Sequence, residues 1–221
     1  MSHYFAELIL TNKPIILVGG GKVAHRKLQG VLECQAQVTV VSPQLCPPME
    51  RLWAEKRFVY IQEGYESHHL SQTPPPILVF AATSDSLVNQ QVAMDCQEKS
   101  ILCNVVDLPV ASTFLVPAVV RRPILTMAVS TGGQSPALSR ILKEYLDQEI
   151  PPGWDRLIQA FGQWRPLVRE ALDDPGRREK FWQQTARLAL LERAFLLDNP
   201  TSWLENHWKK YLSLPKDEDL E

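Results

Sequence analysis

With 221 residues, 45% of them hydrophobic, the chain is long enough to bury a core as one domain or as a domain with a smaller appendage. The 23 basic and 25 acidic residues give a formal charge of -2, which argues against a general nucleic-acid binder because phosphate affinity requires a basic excess. No stretch reaches the ~18 apolar residues of a membrane span, and the first ten residues lack a basic start, so we expect neither anchoring nor export.

A glycine-rich turn follows the first predicted strand. Residues 15–18 form an apolar run typical of a buried strand, and the G-x-G-x-x-A pattern of residues 19–24 predicts a turn into a helix. The first glycine permits the turn, the third lets the backbone approach a pyrophosphate, and free N–H groups at the helix start face that anion. Three glycines can also form a turn without a ligand, but we favour a dinucleotide site. The expected contacts are Gly19, Gly21, Lys22 and Val23.

Strands and helices alternate over the first half of the chain. Strands are predicted at 15–18, 38–41, 57–61, 77–81 and 101–106, and helices at 23–32, 47–56 and 87–99. This alternation predicts an α/β fold with a Rossmann-type parallel sheet whose carboxyl edge holds the cofactor. We therefore assign residues 1–111 to an NAD-binding domain.

The pattern changes after residue 111. Residues 113–120 and 123–130 are predicted β segments with no crossover helix between them. Ser135 and Pro136 then begin a helix that runs to about residue 148. We assign residues 112–150 to a small β-rich segment that serves dimerisation and substrate binding.

Residues 151–221 are predicted to form an all-helical C-terminal domain of three helices. The second and third helices begin at Asp174 and Asn199, each a capping residue followed by proline. An apolar stripe on this part exceeds what a small helical tail can bury, and it comprises Phe181, Ala186, Leu188, Ala189, Leu191 and Phe195. Two interpretations stay open: an ordinary helix core, or a surface covered by a dimer partner or a flat apolar ligand.

The end of the second predicted strand bears on the choice of cofactor. It carries Ser42, Pro43 and Gln44, so the acidic residue that usually holds the NAD ribose is absent and smaller polar groups must hold it. No arginine or lysine lies between Ser42 and Glu50 to receive a 2′-phosphate, which favours NAD over NADP.

The fourth and fifth predicted strands end at the same sheet edge. Ala82 and Thr83 offer a small side chain and a hydroxyl beside the expected nicotinamide, or they form an ordinary strand end before a helix cap. Asn104 and Asp107 add an amide and a carboxylate. Burial beside an apolar ligand would raise the pKa of Asp107 above about 3.9 and make it a candidate base, whereas the competing view is that Asp107 starts a turn.

Together these motifs resemble the NAD-dependent precorrin-2 dehydrogenases, which also form the amino-terminal module of siroheme synthase and sometimes act as sirohydrochlorin ferrochelatases. The matching segments are VGGGKVA at 18–24, AAT at 81–83, VN at 88–89, CNVVD at 103–107 and AVSTGGQSP at 128–136. The resemblance covers residues 1–150 closely, continues more loosely through residues 178–182 and then fades.

The resemblance implies a function. Enzymes of this family oxidise precorrin-2 to sirohydrochlorin with NAD, and some also insert iron into the product. The resemblance places the catalytic role for both steps on Asp107, because each step releases protons that one carboxylate could accept. It also places Ser130 near the same pocket. It also implies a homodimer that acts after a separate methylating enzyme.

The implied substrate is a flat ring with eight carboxylates, which calls for positive charge and N–H donors. Basic residues flank the second glycine loop, namely Arg121, Arg122, Arg140 and Lys143. The N–H groups before Pro136 form a second anion site at a helix start. The expected substrate contacts are Arg121, Ser130, Gly132, Gly133 and Arg140, and solvated surface arginines are the plainer alternative.

No permanent metal site is expected. His68 and His69 are adjacent, so an extended segment would point them to opposite faces, and the other histidines are isolated. Iron would be a passing substrate. The four cysteines form no C-x-x-C pair, which predicts reduced, buried thiols and a cytoplasmic location.

The alternative of a different class is a non-catalytic NAD-sensing regulatory module. Such a module would share the glycine loop of residues 19–24. Residues 104–107 and 130–136 favour the enzyme, because a sensor needs neither segment.

Overall fold

The structure, a computed structural model, describes residues 3–106 and 108–213. The chain divides into two compact units. The first comprises Met1–Val116 with Gly132–Gln134, and the second comprises Pro117–Thr131 with Ser135–Glu221. The division into three segments at residues 111 and 150 stays a prediction.

The first unit is built on a parallel sheet. Among its described residues the strands are β1 (Pro14–Val18), β2 (Gln37–Val41), β3 (Val59–Ile61), β4 (Leu78–Ala81) and β5 (Leu102–Val105). They lie in the order β3-β2-β1-β4-β5, so β1 is central and the strand order reverses direction beside it. The helices are α1 (Lys22–Glu33), α2 (Pro47–Ala54) and α3 (Ser86–Glu98). The predicted Rossmann-type fold is confirmed.

Alternating side chains of β1 supply two core layers, one on each face of the sheet. Ile15 and Leu17 pack in the cluster that contains Leu28 of α1. Ile16 and Val18 pack in the opposite cluster, which contains Val92 of α3. A strand buried on both faces explains why residues 15–18 are continuously apolar. The predicted burial of thiols holds for Cys96 and Cys103, whereas Cys34 and Cys46 are half-buried.

The outer edge of β5 is covered by side-chain hydroxyls instead of another strand. The N–H of Cys103 donates to Oγ1 of Thr113 at 2.7 Å, and the N–H of Val105 donates to Oγ of Ser112 at 2.9 Å. The N–H of Thr113 donates back to the carbonyl oxygen of Cys103 at 2.8 Å. The sequence predicts a β segment over residues 113–120, but the strand begins only at Ala118. Thr113 and Phe114 instead use their polar groups to bond to β5.

The second unit begins with an antiparallel hairpin of β6 (Ala118–Arg121) and β7 (Thr126–Val129), followed by α4 (Pro136–Glu149). The sequence places Arg122 among the basic residues that flank the second glycine loop, but its side chain binds the end of α4. Its guanidinium donates to Oδ1 of Asp147 at 2.8 Å and to the carbonyl oxygen of Ile150 at 3.2 Å. The hydrogen bond from Arg122 lowers the pKa of Asp147. Arg122 is therefore structural.

Three further helices lie in the described part of the second unit, as the sequence predicted. They are α5 (Trp154–Ala171), α6 (Pro175–Leu191) and α7 (Pro200–Leu212). Asp174 and Asn199 cap α6 and α7 by accepting hydrogen bonds from backbone N–H groups. The tryptophans at 154, 164, 182, 203 and 208 all pack within this helical core.

Half of the residues in the apolar stripe on α6 and beyond are helix core. Phe181, Ala189 and Phe195 are buried. Leu188 is half-buried, Ala186 is exposed, and Leu191 is 78% exposed. The ordinary interpretation therefore accounts for the three buried residues, and a covering partner or ligand stays a prediction for the exposed ones.

The segment between β3 and β4 contains a short 3-10 helix, Ser67–Ser71. It places the rings of His68 and His69 with centroids 4.1 Å apart. The expectation that these two side chains point to opposite faces is therefore wrong, because it assumed an extended backbone. Within the described part of the chain, no helix is both long and apolar enough to cross a membrane.

Candidate dinucleotide-binding site

The loop between β1 and α1 has no room for side chains at two of its glycines. Gly19 has φ +119°, and a Cβ there would collide with the carbonyl oxygen of Ala82. A Cβ on Gly20 would collide with the carbonyl oxygen of Gln44. The ends of β1, β2 and β4 therefore converge on this loop, as expected of a switch point in a parallel sheet. The G-x-G-x-x-A template leaves the Gly20 position unrestricted, so the sequence did not indicate its role.

The N-terminus of α1 is open. Gly21 is its N-cap and provides no side-chain hydrogen bond, and the first helical N–H to donate within the helix is that of His25, to the carbonyl oxygen of Gly21 at 2.9 Å. A Cβ on Gly21 would meet no atom within 4 Å. Lys22 and Val23 are exposed beside it. Unpaired N–H groups with open space in front of them form an anion site, and the first turn contains no acidic residue to compete.

The loop after β2 packs against the glycine loop. The N–H of Cys46 donates to the carbonyl oxygen of Gly20 at 2.7 Å, and Oγ of Ser42 donates to the carbonyl oxygen of Gln44 at 2.8 Å. Ser42 is buried, whereas Pro43 and Gln44 are exposed. The Ser42 hydroxyl therefore shapes this loop, and its oxygen keeps capacity to accept a hydrogen bond.

Asn89 of α3 holds Thr83 at the end of β4. The N–H of Thr83 donates to Oδ1 of Asn89 at 3.1 Å, and Nδ2 of Asn89 donates to the carbonyl oxygen of Thr83 at 3.1 Å. Oγ1 of Thr83 accepts from the N–H of Asp85 at 3.1 Å, while the carboxylate of Asp85 caps α3. Asn89 appeared in the sequence only as part of a motif; its buried position facing Thr83 identifies it as a positioning residue.

The end of β5 is hydrogen-bonded to residues 112–114, the covering segment at its outer edge. Asn104 is buried, and its Nδ2 donates to the carbonyl oxygen of Phe114 at 3.0 Å. The N–H of Val106 donates to the carbonyl oxygen of Ala81 at 2.9 Å, so β5 ends beside β4 at the carboxyl edge. Asp107, the candidate base, follows Val106 in the sequence and lies outside the described residues.

The candidate substrate residues are divided between the two units. Gly132 and Gly133 belong to the first unit and have φ +62° and +81°, where a side chain would be strained. Arg121, Ser130 and Arg140 belong to the second unit and are exposed.

Within the second unit, Arg121 and Ser130 do not come together. Arg121 pairs with Thr126 near the hairpin turn, while Ser130 follows Val129 at the open end. At ~3.4 Å per strand residue, the four residues between these two levels of the hairpin correspond to about 14 Å. One of the N–H groups expected to bind an anion at the start of α4 already has a partner. The N–H of Ser135 donates to Oγ1 of Thr131 at 3.0 Å.

The comparisons with known proteins agree with this geometry. Residues 7–118 match the sequence model of a family described as putative NAD(P)-binding, and residues 125–149 match one described as sirohaem biosynthesis protein central. Siroheme synthase of Nitrosospira multiformis is 34% identical over 204 residues, 90% of this chain and 43% of that protein. Siroheme synthase of Methylobacillus flagellatus is 37% identical over 174 residues, 79% of this chain and 37% of that protein.

The chain thus spans about two fifths of the length of these relatives. A solved structure named SirC, precorrin-2 dehydrogenase, superposes with a TM-score of 0.73 over 94% of this chain and 100% of that one, at 22% identity. This likeness supports the fold. The sequence matches confirm the resemblance carried by the motifs, and the family match spans just over half of the chain. The chain therefore belongs to the putative NAD(P)-binding family, whose cofactors are nicotinamide dinucleotides.

Proposed function

We propose that this chain oxidises precorrin-2 to sirohydrochlorin with NAD as the hydride acceptor. The observation that carries the proposal is the open N-terminus of α1, at the edge where β1, β2 and β4 end. The names of the relatives and of the structural neighbour supply the substrate class. The relatives are longer proteins, so their names alone do not assign an activity to this chain. The proposal therefore rests on the site in this chain.

The residues of the first unit fit a dinucleotide. The space in front of Gly21 accepts a pyrophosphate, the N–H groups of the first turn of α1 donate to it, and the exposed ammonium of Lys22 adds positive charge. Ala82 leaves room at the end of β4, and Asn89 holds the neighbouring Thr83 backbone in place. When bound, the nicotinamide accepts a hydride from the substrate.

NAD is favoured over NADP by the loop after β2. Pro43 and Gln44 are exposed there, and no lysine or arginine lies between Ser42 and Glu50 to neutralise a 2′-phosphate. The adenosine ribose would be held by the Ser42 oxygen and the Gln44 amide. Equal affinity for the two dinucleotides would contradict this assignment.

The proton balance assigns a role to Asp107. Removal of two hydrogens from precorrin-2 sends a hydride to NAD and requires a base for the accompanying proton. We infer that the carboxylate of Asp107 accepts it, since Asp107 follows Val106 directly in the sequence and Val106 lies at the sheet edge where the cofactor is proposed to bind. Asn104 fixes the covering segment through Phe114 and so supports that edge.

The substrate carboxylates are proposed to contact Arg121, Ser130, Arg140 and the N–H groups of Gly132 and Gly133. The wide separation of Arg121 and Ser130 is compatible with this role, because the carboxylates are distributed around the rim of the ring. Arg140 is exposed on the second turn of α4, so its guanidinium can reach an anion.

A homodimer is proposed from an exposed apolar stripe on α4. Its members recur at helical spacing and include Ile141 at 61% exposed, with Leu138, Leu142 and Tyr145. A contiguous apolar stripe on a helix surface is typical of a protein interface. A second copy of the chain is the occupant we propose, consistent with the surplus apolar area after residue 110.

The decisive experiment mixes purified protein with NAD and precorrin-2 and follows the absorbance of NADH. We expect NADH and sirohydrochlorin in equal amounts from the wild type and at least a hundredfold slower turnover from Asp107→Asn. The matched control is Asp173→Asn, an exposed aspartate in the second unit, which should retain full activity. NAD binding without NADH formation would instead favour the regulatory module.

A further inference from the structure

A cluster of metal-ligating side chains lies in the first unit, in the segment between β3 and β4. One nitrogen from each imidazole of His68 and His69 and a carboxylate oxygen of Glu63 lie within 4.8 Å of one another. We propose that Glu63, His68 and His69 bind a divalent transition-metal ion. The proposal does not depend on the proposed oxidation of precorrin-2.

His69 is held by the backbone in the orientation that a ligand requires. It is only 3% exposed, and its Nδ1 lies 2.9 Å from the backbone nitrogen and 2.8 Å from the carbonyl oxygen of Glu66. Without a metal, the N–H of Glu66 donates to Nδ1, so the ring proton lies on Nε2. Nε2 donates to Oε1 of Glu63 at 2.9 Å. A metal ion that takes the place of this proton bonds to Nε2 and to the carboxylate, and the proton moves to Nδ1, which then donates to the carbonyl oxygen of Glu66. A ligating histidine usually donates its other N–H to a carbonyl or carboxylate in this way.

His68 has the same kind of support. Its Nδ1 lies 3.2 Å from Oε2 of Glu66, so a proton on Nδ1 is held by that carboxylate and Nε2 is left for a metal. Glu66 therefore orients both rings, His69 through its backbone and His68 through its side chain. The ligand atoms around one zinc ion lie about 3.3 Å apart. Because the side chains of His68 and Glu63 are 63% and 54% exposed, rotation of either can close the set.

The segment that carries the cluster is anchored to α3. Oδ2 of Asp95 accepts from the hydroxyl of Tyr65 at 2.8 Å and from the hydroxyl of Ser67 at 2.6 Å. Leu70, next to His69, is buried in the core at that face of the sheet. The backbone between Glu63 and Leu70 is thus fixed before a metal arrives, which reduces the ordering cost of binding.

The ligand set selects the class of ion. Two imidazoles and one carboxylate suit zinc, cobalt(II), nickel(II) or iron(II), whereas magnesium and calcium prefer sets of oxygen ligands. Three protein ligands leave at least one coordination position for water. Two of the three side chains are solvent-exposed, so we expect an exchangeable ion instead of a permanently buried one.

Cobalt(II) is the best probe, because its visible absorption reports coordination. The full chain is titrated with CoCl2 and then with ZnCl2 as a competitor. We expect one equivalent to bind with a spectrum of nitrogen and oxygen ligands, without the near-ultraviolet charge-transfer band that a thiolate would add. The variants are His68→Ala and Glu63→Gln, both at exposed side chains, so the fold should be kept.

The controls are matched by residue type. His3→Ala and Glu55→Gln remove an exposed histidine and an exposed glutamate outside the cluster. We expect affinity to fall at least tenfold in both cluster variants and to stay unchanged in both controls. Wild-type affinity in His68→Ala or Glu63→Gln, or no binding by the wild type, would overturn the proposal. NAD affinity should be equal in all five proteins, which separates this result from any failure of the proposed function.

Discussion

The amide side chain of Asn89 donates to and accepts from the backbone of Thr83, with both distances at 3.1 Å. This pair joins the start of α3 to the end of β4, at the edge where the nicotinamide is proposed to bind. Asn89→Ala leaves the Thr83 N–H and carbonyl oxygen without these partners, which costs about 1–3 kcal/mol when such groups are buried.

We expect the free energy of unfolding of Asn89→Ala to fall by that amount and the KM for NAD to rise several-fold. Urea unfolding and steady-state kinetics measure the two effects. Gln90→Ala is the control, because Gln90 is the adjacent, exposed amide on the same helix. If the two variants have the same free energy of unfolding and the same KM for NAD, the Thr83 contacts contribute to neither stability nor NAD binding.

The three glycines of the β1–α1 turn and its helix should respond differently to alanine. Gly20→Ala should destabilise the fold, because the new methyl collides with the carbonyl oxygen of Gln44. Gly21→Ala should fold normally yet bind NAD more weakly, since its methyl enters the space in front of α1. Gly30→Ala, within α1 and with no atom within 4 Å, should be stabilised by about 0.5–1 kcal/mol. Thermal melts with and without NAD distinguish the three outcomes.

Arg121→Ala and Arg140→Ala should raise the KM for precorrin-2 and leave the KM for NAD unchanged. Each removes a positive charge proposed to hold a substrate carboxylate, and neither belongs to the unit that contains the glycine loop. Arg187→Ala, at an exposed position on α6, serves as the control. An unchanged KM for precorrin-2 in both variants would show that neither arginine contacts the substrate.

His207 should make the helical part of the second unit sensitive to acid. Its ring is stacked between Phe181 and Trp203, and its Nε2 is buried without a hydrogen-bond partner among the described residues. Burial lowers the pKa of His207 from 6.5, against the opposing charge of Glu192 and with a small contribution from Lys210.

Because the unfolded chain binds this proton more readily, the stability that neutral His207 contributes is present above pH 6.5 and lost as the pH falls through the lowered pKa. His207→Phe keeps the stacking without a titrating group. We expect it to lose less free energy of unfolding than the wild type between neutral and mildly acidic pH, as measured by urea unfolding with tryptophan fluorescence. Parallel pH profiles would contradict this account.

Ile141→Glu should convert the proposed homodimer into a monomer, because it places a charge in the middle of the exposed α4 stripe. Light scattering coupled to gel filtration measures the mass. Met94→Glu, at a similarly exposed apolar position on α3, is the comparison and should keep the wild-type mass. A wild-type chain that is monomeric at micromolar concentration would contradict the proposed homodimer.

Local patterns in the sequence were sufficient for the parallel sheet, the glycine turn and the helix starts at Ser135, Asp174 and Asn199. Each depends on neighbouring residues alone: apolar runs, a capping side chain or the missing Cβ of glycine. The family resemblance of residues 18–24 and 128–136 likewise depends on contiguous sequence motifs, and the family comparisons confirmed it.

Contacts between residues far apart in the chain could not be read in this way. The sequence does not show that Gly20 faces the carbonyl oxygen of Gln44, that Arg122 reaches Asp147, or that Ser112 covers the edge of β5. His68 and His69 show the same limit, since a helical turn anchored by Asp95 brings together two rings that an extended strand would separate. Side-chain direction depends on backbone conformation, and in these places tertiary packing decided that conformation.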